Sequence, residues 1–143
     1  LTTVLGKKAI MKESTNTFIS STFWSERIGF AAGIATLKEM KRVKSWKILK
    51  ERGKYLKLRL KKIAIINNLK ISFSGLDALV RFELYDLNKI NYNKIITEMM
   101  LKKNFLAGNA IYLSTAHSKQ LIDKYITEMN NVFKNISLIR SRK

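Results

Sequence analysis

The chain has 143 residues, 46% hydrophobic and 10% aromatic, with no cysteine. This is the composition of a globular domain with a sizeable core rather than a disordered tail, and it excludes thiol catalysis and zinc–thiolate sites. Twenty-eight Lys and Arg against ten Asp and Glu give a net charge of +18, which raises the question of an anionic partner.

"LTTVLG" (Leu1–Gly6) reads as a short strand ending at a glycine turn, and Lys7 to Glu13 can begin a helical turn. "STNT" (Ser14–Thr17) is polar turn material. Ser25 has the chemistry of an N-cap, with Glu26 behind it suited to the start of a helix that runs to about Lys41. A second helix, or a kinked continuation, then extends to about Asn67. Its apolar stripe is Val43, Trp46, Leu49, Gly53, Leu56, Leu60 and Ile63, and lysines from Lys44 to Lys61 take the opposite side.

The pattern next changes period. "KISFSG" reads as a strand closed by Gly75. In "ALVRFELY" the residues Ala78, Val80, Phe82 and Leu84 alternate with polar or larger neighbours, as in a half-buried strand. Tyr92 to Lys103 returns to helical spacing, "NAIYLSTA" (109–116) is a third strand, and Ser118 caps a last helix. The apolar face of that helix is Leu121, Ile122, Tyr125, Ile126, Met129 and Phe133. The fold expected is α+β: a small antiparallel sheet with helices packed on it.

No run of apolar residues approaches the roughly 20 needed for a membrane span, and no signal pattern opens the chain, so a cytoplasmic location is expected. The lysines are scattered from Lys7 to Lys143 among many Ile and Asn residues. A biased coding composition produces the same mix, so the lysines read as a solvated surface and nucleic acid is not the expected partner.

A self-contained active site is not evident. His117, the one histidine, lies where a strand meets a helix and reads as a polar residue at a helix start. The ten carboxylates show no paired spacing, no glycine-rich phosphate loop is present, and no metal site is expected. Directed chemistry is confined to "FISSTFWSERIGFAAGIATLKEM" (18–40). Here the hydroxyls of Ser20, Ser21 and Thr22 precede a helix whose start is rich in glycine and alanine. Hydroxyls feeding a helix N-terminus can hold a phosphate, and Gly29, Ala31, Ala32, Gly33 and Ala35 allow close approach of a ligand or another backbone. The same residues also suit a capping turn before a tightly packed helix.

The segment 17–40 resembles the stretch after the cofactor lysine in class III pyridoxal-phosphate aminotransferases, in the branch around glutamate-1-semialdehyde aminomutase. "LTTVLGKKAIM" is similar to the strand and turn before it. "LKISFSGLDALVRFEL" and "NFLAGNAIYLSTAHSKQLIDKYITEMNNVF" resemble the C-terminal small domain of that family. The resemblance covers nearly the whole chain in order. It implies the end of a large cofactor domain in residues 1–40 and a small domain in residues 41–143 of a fold-type I enzyme.

It further implies that Thr22, and Ser21 beside it, contact the phosphate of pyridoxal 5'-phosphate in the neighbouring subunit of a dimer, with Phe23 and Trp24 walling the site. The substrates implied are a small-molecule amino donor and a keto or aldehyde acceptor. Ser21 departs from the small residue usual at its position. The Schiff-base lysine of the family would lie upstream of Leu1, so no catalytic residue is expected in this chain. Lys7 and Lys8 do not replace that lysine. The chain therefore reads as roughly the last third of such an enzyme, inactive alone, acting as a homodimer or with an N-terminal fragment. Two other readings stay open: a basic module using the Lys44–Lys62 face on nucleic acid or an anionic surface, and a non-catalytic remnant serving as a scaffold.

Overall fold

The computed structural model describes residues 4–23, 26–85 and 90–142. The expected strand residues Leu1–Thr3, the aromatic wall residue Trp24 and the expected cap Ser25 lie outside them. The chain divides into two compact units, one up to Val43 and one from Lys44 onward.

The first unit is helical. A single turn, α1 (Lys8–Met11), runs directly into a 3-10 helix at Lys12–Asn16. The "STNT" segment thus belongs mostly to a helix rather than to an open turn. The Ser14 hydroxyl donates to the Met11 carbonyl at 2.7 Å and the Thr15 hydroxyl to Lys12 at 2.7 Å, the local bonding these side chains favour. Val4–Gly6 form no strand, because a strand needs a paired neighbour and these residues have none. Helix α2 (Arg27–Val43) follows, with Glu26 immediately before its first turn rather than inside it. None of its residues is buried, and Phe30, Ile34 and Leu37 are exposed on it.

The second unit is an α+β layer. Helix α3 (Ser45–Ile66) begins after Lys44, whose left-handed backbone (φ 51°, ψ 46°) breaks the helical path. The helix ends at Asn67, whose side chain donates to the Ile63 carbonyl at 2.7 Å and to Asn130 at 2.8 Å. Strands β1 (Ile71–Ser74), β2 (Leu79–Leu84) and β3 (Ala110–Tyr112) form one antiparallel sheet in that order. The register pairs Phe73 with Phe82 and Val80 with Ile111. Gly75 turns the chain between β1 and β2 at φ +77°, a conformation that side chains disfavour. Helix α4 (Tyr92–Leu101) is capped by the Asn91 side chain, and α5 (Lys119–Ser141) by Ser118, whose hydroxyl accepts from the Leu121 N–H at 3.2 Å.

Period two on β2 places Val80, Phe82 and Leu84 on one face, where they meet Leu56, Leu60 and Ile63 of α3 and Ile126, Met129 and Phe133 of α5. The Phe82 and Phe133 rings pack edge-to-face at 6.1 Å, a geometry worth about 1 kcal/mol beyond burial.

Four expectations need correcting. The α3 stripe is buried only from Gly53 onward. Trp46 is 52% exposed while Ser45 is buried, since α3 joins the apolar core only from Tyr55 and Leu56 onward. The third strand is three residues long rather than eight: its register partners on β2 are Leu79–Arg81, and one further backbone hydrogen bond at each end, from Phe82 to Asn109 and from Leu113 to Ala78, closes the pairing. Leu121 is 39% exposed on α5, whereas Val132 and Ile136, unassigned from the sequence, are buried. Helix α4 stops at Leu101, and Asn104 (φ 61°) turns the chain away.

Candidate functional site

Two places hold the directed chemistry, one in each unit. In the first, Ser21 and Thr22 are exposed, Thr22 lies in a turn, and the Glu26 N–H closes onto the Phe23 carbonyl at 3.2 Å. Among the described residues neither hydroxyl has an internal hydrogen-bond partner, so both are available to a ligand. The helix that follows has no acidic residue in its first turn. As at any helix start, the first N–H groups have no intrahelical partner and the dipole favours an anion, with Glu26 already standing at that end. Ser21 and Thr22 fit the phosphate end of a cofactor. Nothing on this loop offers an amine or a base.

The second place is the junction of α3, β3 and α5. The Tyr55 hydroxyl donates to the Asp123 carboxylate at 2.5 Å, and the Arg59 guanidinium donates to the Tyr55 oxygen at 2.8 Å and to Asp123 at 3.1 Å. The hydrogen bond to Asp123, above all, pushes the Tyr55 phenol above its ordinary range. The Arg59 carbon and the Lys119 ammonium lie 5.6 and 5.2 Å from the Tyr55 ring centroid, so two cations border one π-face system. Arg52 donates to the carbonyls of Ser114 and Thr115 at 3.1 and 2.7 Å, pinning the loop after β3.

His117 sits on that loop. Its Nδ1 accepts the Ser114 backbone N–H at 2.9 Å, which assigns the ring proton of the neutral form to Nε2. No carboxylate hydrogen-bonds to it among the described residues, and the expected role at a helix start matches its place beside the Ser118 cap. The ring also borders a cavity of about 100 Å³ whose other walls include Leu56, Ile111, Leu113 and Tyr125. The Tyr125 ring packs edge-to-face on Phe105 at 5.7 Å, and its buried hydroxyl finds no partner among the described residues. Burial pushes this phenol well above its ordinary value.

Neither the Tyr55–Arg59–Asp123 network nor the orphaned Tyr125 hydroxyl was legible beforehand. Tyr55 and Asp123 are 68 positions apart, and only the packing of α3 on α5 joins them. Among the described residues no group of three His, Cys, Asp or Glu could hold a metal ion, and no helix is long and apolar enough to cross a membrane.

No protein-family model and no curated protein matches the chain. Among solved structures, the PLP internal aldimine form of the FumI protein of Sphingopyxis sp. MTA144 is similar, with a TM-score of 0.80 at 18% sequence identity. The likeness covers 92% of this chain and 32% of that one. The chain therefore shares the fold of a segment about one third the length of that protein.

Proposed function

We propose that this chain is the C-terminal part of a pyridoxal-phosphate-dependent enzyme of the class III aminotransferase type, in the glutamate-1-semialdehyde aminomutase-like branch. The observation that carries the reading is the fold likeness over 92% of the chain to a protein solved with this cofactor. It runs through both units in one order, as does the sequence resemblance. Several features support it further. Ser21 and Thr22 are exposed, and α2 starts just beyond them. Among the described residues of the first unit none is buried, and Phe18, Phe30, Ile34 and Leu37 are uncovered. The remaining two thirds of the shared fold would cover such a surface.

In this reading Thr22 donates its hydroxyl to the cofactor phosphate across a dimer interface, and Ser21 adds a second donor. The residues from 44 onward form the small domain that closes over an amino donor and its keto or aldehyde acceptor. The cofactor supplies the electron sink that amino-group transfer requires. This chain contributes orientation and closure, while the covalent anchor and the proton-transferring base come from the upstream polypeptide.

A pyridoxal-phosphate titration tests the reading, followed by absorbance and by cofactor fluorescence, on this chain alone and with the upstream polypeptide carrying the lysine. A new visible band only in the mixture is the expected result. Thr22→Ala should then weaken cofactor binding about tenfold or more, the range for a lost hydrogen bond to a charged group, and Thr22→Ser should restore it. A folded mixture with no band and no fluorescence change would overturn the proposal.

A further inference from the structure

Net charge alone says little about lysines, but their placement on α3 is specific. Lys47, Lys50, Lys54, Lys57 and Lys61 recur at alternating steps of three and four, which puts all five ammonium groups on one side of the helix. The stripe runs about 21 Å at 1.5 Å per residue. Along the whole of α3 the only carboxylate is Glu51. A biased coding composition spreads lysines along a chain. It does not set them in one register on one helix.

The two arginines of the helix are committed elsewhere. Arg52 holds the Ser114 and Thr115 carbonyls, and Arg59 holds Asp123 and Tyr55. Within the stripe, Lys57 pairs with Asp77 at 2.9 Å. The charges of Lys54 and Lys50 add smaller contributions that keep that carboxyl ionised. Lys47, Lys50, Lys54 and Lys61 are exposed and make no ion pair among the described residues. At the N-terminal end of the stripe Trp46, next to Lys47 and one turn before Lys50, leaves 52% of its surface exposed.

We propose that the Lys47–Lys61 stripe and Trp46 form a binding surface for single-stranded nucleic acid. The lysines follow the phosphate backbone and the indole stacks on an unpaired base. This pairing of a basic track with an exposed aromatic platform is how sequence-tolerant single-strand sites are built. A duplex keeps its base faces stacked inside and gives Trp46 nothing to stack on. A bilayer fits less well, because the apolar side of α3 (Leu56, Leu60, Ile63) is buried in the core and cannot enter lipid. The proposal is independent of the cofactor reading.

The test is fluorescence anisotropy of labelled 20-nucleotide strands, U20 and dT20, titrated with the full chain between 50 and 200 mM salt. Lys47→Gln/Lys50→Gln/Lys54→Gln is compared with Lys102→Gln/Lys124→Gln/Lys134→Gln, which removes the same charge from exposed positions off the helix. The α3 triple variant should lose tenfold or more in affinity and flatten the log–log salt slope by about 2, at about 0.7 per single-strand phosphate contact. The control triple should stay within twofold. Trp46→Ala should weaken binding about fivefold or more, and Trp46→Phe should recover most of the loss. Unchanged melting temperatures would show that these variants remain folded. Equal losses in the two triple variants, equal affinity for a duplex, or binding only to vesicles containing anionic lipid would each overturn the proposal. A preference between U20 and dT20 would say whether RNA or DNA is the ligand, within the same site.

Discussion

A Cβ atom placed on Gly53 would lie 1.8 Å from the carbonyl oxygen of Asp77. Helix α3 therefore meets the β1–β2 turn backbone against backbone. One helical turn on, Lys57 donates to the carboxylate of the same aspartate at 2.9 Å. Main chain and side chain of Asp77 are both held by one face of α3. In an ordinary helix interior, Gly→Ala gains about 1 kcal/mol. Here the added methyl strikes a backbone that cannot rotate aside, so Gly53→Ala should destabilise by about 2 kcal/mol or more. The expected fall in melting temperature is about 8 °C or more. A variant that melts at or above the parent temperature would show that the turn yields.

The Asp77 carboxyl is held below its usual range, first by the hydrogen bond from Lys57, which outweighs the opposing effect of burial, and then by the charges of Lys57, Lys54 and Lys50. A depressed folded-state pKa gives a contribution that is present above the unfolded value near 4 and lost as pH falls through the folded value. Asp77→Asn should lower the melting temperature at pH 7, and its gap from the parent should close on acidification from pH 4 to pH 2. A gap that stays constant over that range would rule out ionic linkage at this turn.

Tyr125 gives the opposite limb. Its hydroxyl is buried without a partner and its folded pKa is raised by that burial. A raised pKa contributes stability that is complete below the unfolded value near 10 and is lost as pH rises toward the folded one. Stability should therefore decline above about pH 10, with Tyr55, raised chiefly by its bond to Asp123, adding to the same limb. Tyr125→Phe keeps the ring on Phe105 and removes the orphaned hydroxyl. It should leave stability at pH 7 unchanged or higher by about 1 kcal/mol and flatten the alkaline decline. Urea unfolding at pH 7 and pH 11 measures both effects.

The parts of this fold that were legible in the sequence are those set by local chemistry. Alternation at Val80, Phe82 and Leu84 gave β2 and its buried face, and Ser118 capped α5 as read. Gly75 marked its turn because only a residue without a side chain sits easily at φ +77°. What failed depended on neighbours distant in the chain. Trp46 has the spacing of a core residue but is half exposed, and "AIYLSTA" has strand composition throughout yet pairs with β2 in register only over Ala110–Tyr112. Gly53 was read as a stripe position, and nothing in its neighbourhood hinted at Asp77. For the candidate phosphate loop, composition pointed to the hydroxyl run from Ser20 to Thr22, and the family resemblance singled out Thr22 with Ser21 beside it; both are exposed.

The junction of α3 and α5 offers the cleanest test of a polar network in this fold. The Tyr55 hydroxyl donates a hydrogen bond to Asp123, and Arg59 donates hydrogen bonds to both, so each member orients the other two. Removing the Tyr55 hydroxyl alone leaves the Arg59–Asp123 pair, whose half-exposed setting limits its worth to under about 1 kcal/mol. Removing the Asp123 charge alone leaves the phenol with Arg59 facing its oxygen and only a neutral amide oxygen to accept its hydrogen bond. If the three act as a unit, Tyr55→Phe and Asp123→Asn should each cost about 1 kcal/mol, and the double variant should cost less than their sum by at least 0.5 kcal/mol, the range for residues in contact. Strict additivity in urea unfolding would mean that α3 and α5 are joined by the apolar contacts of Leu56, Leu60, Ile126 and Met129, with the polar triad adding no coupling of its own.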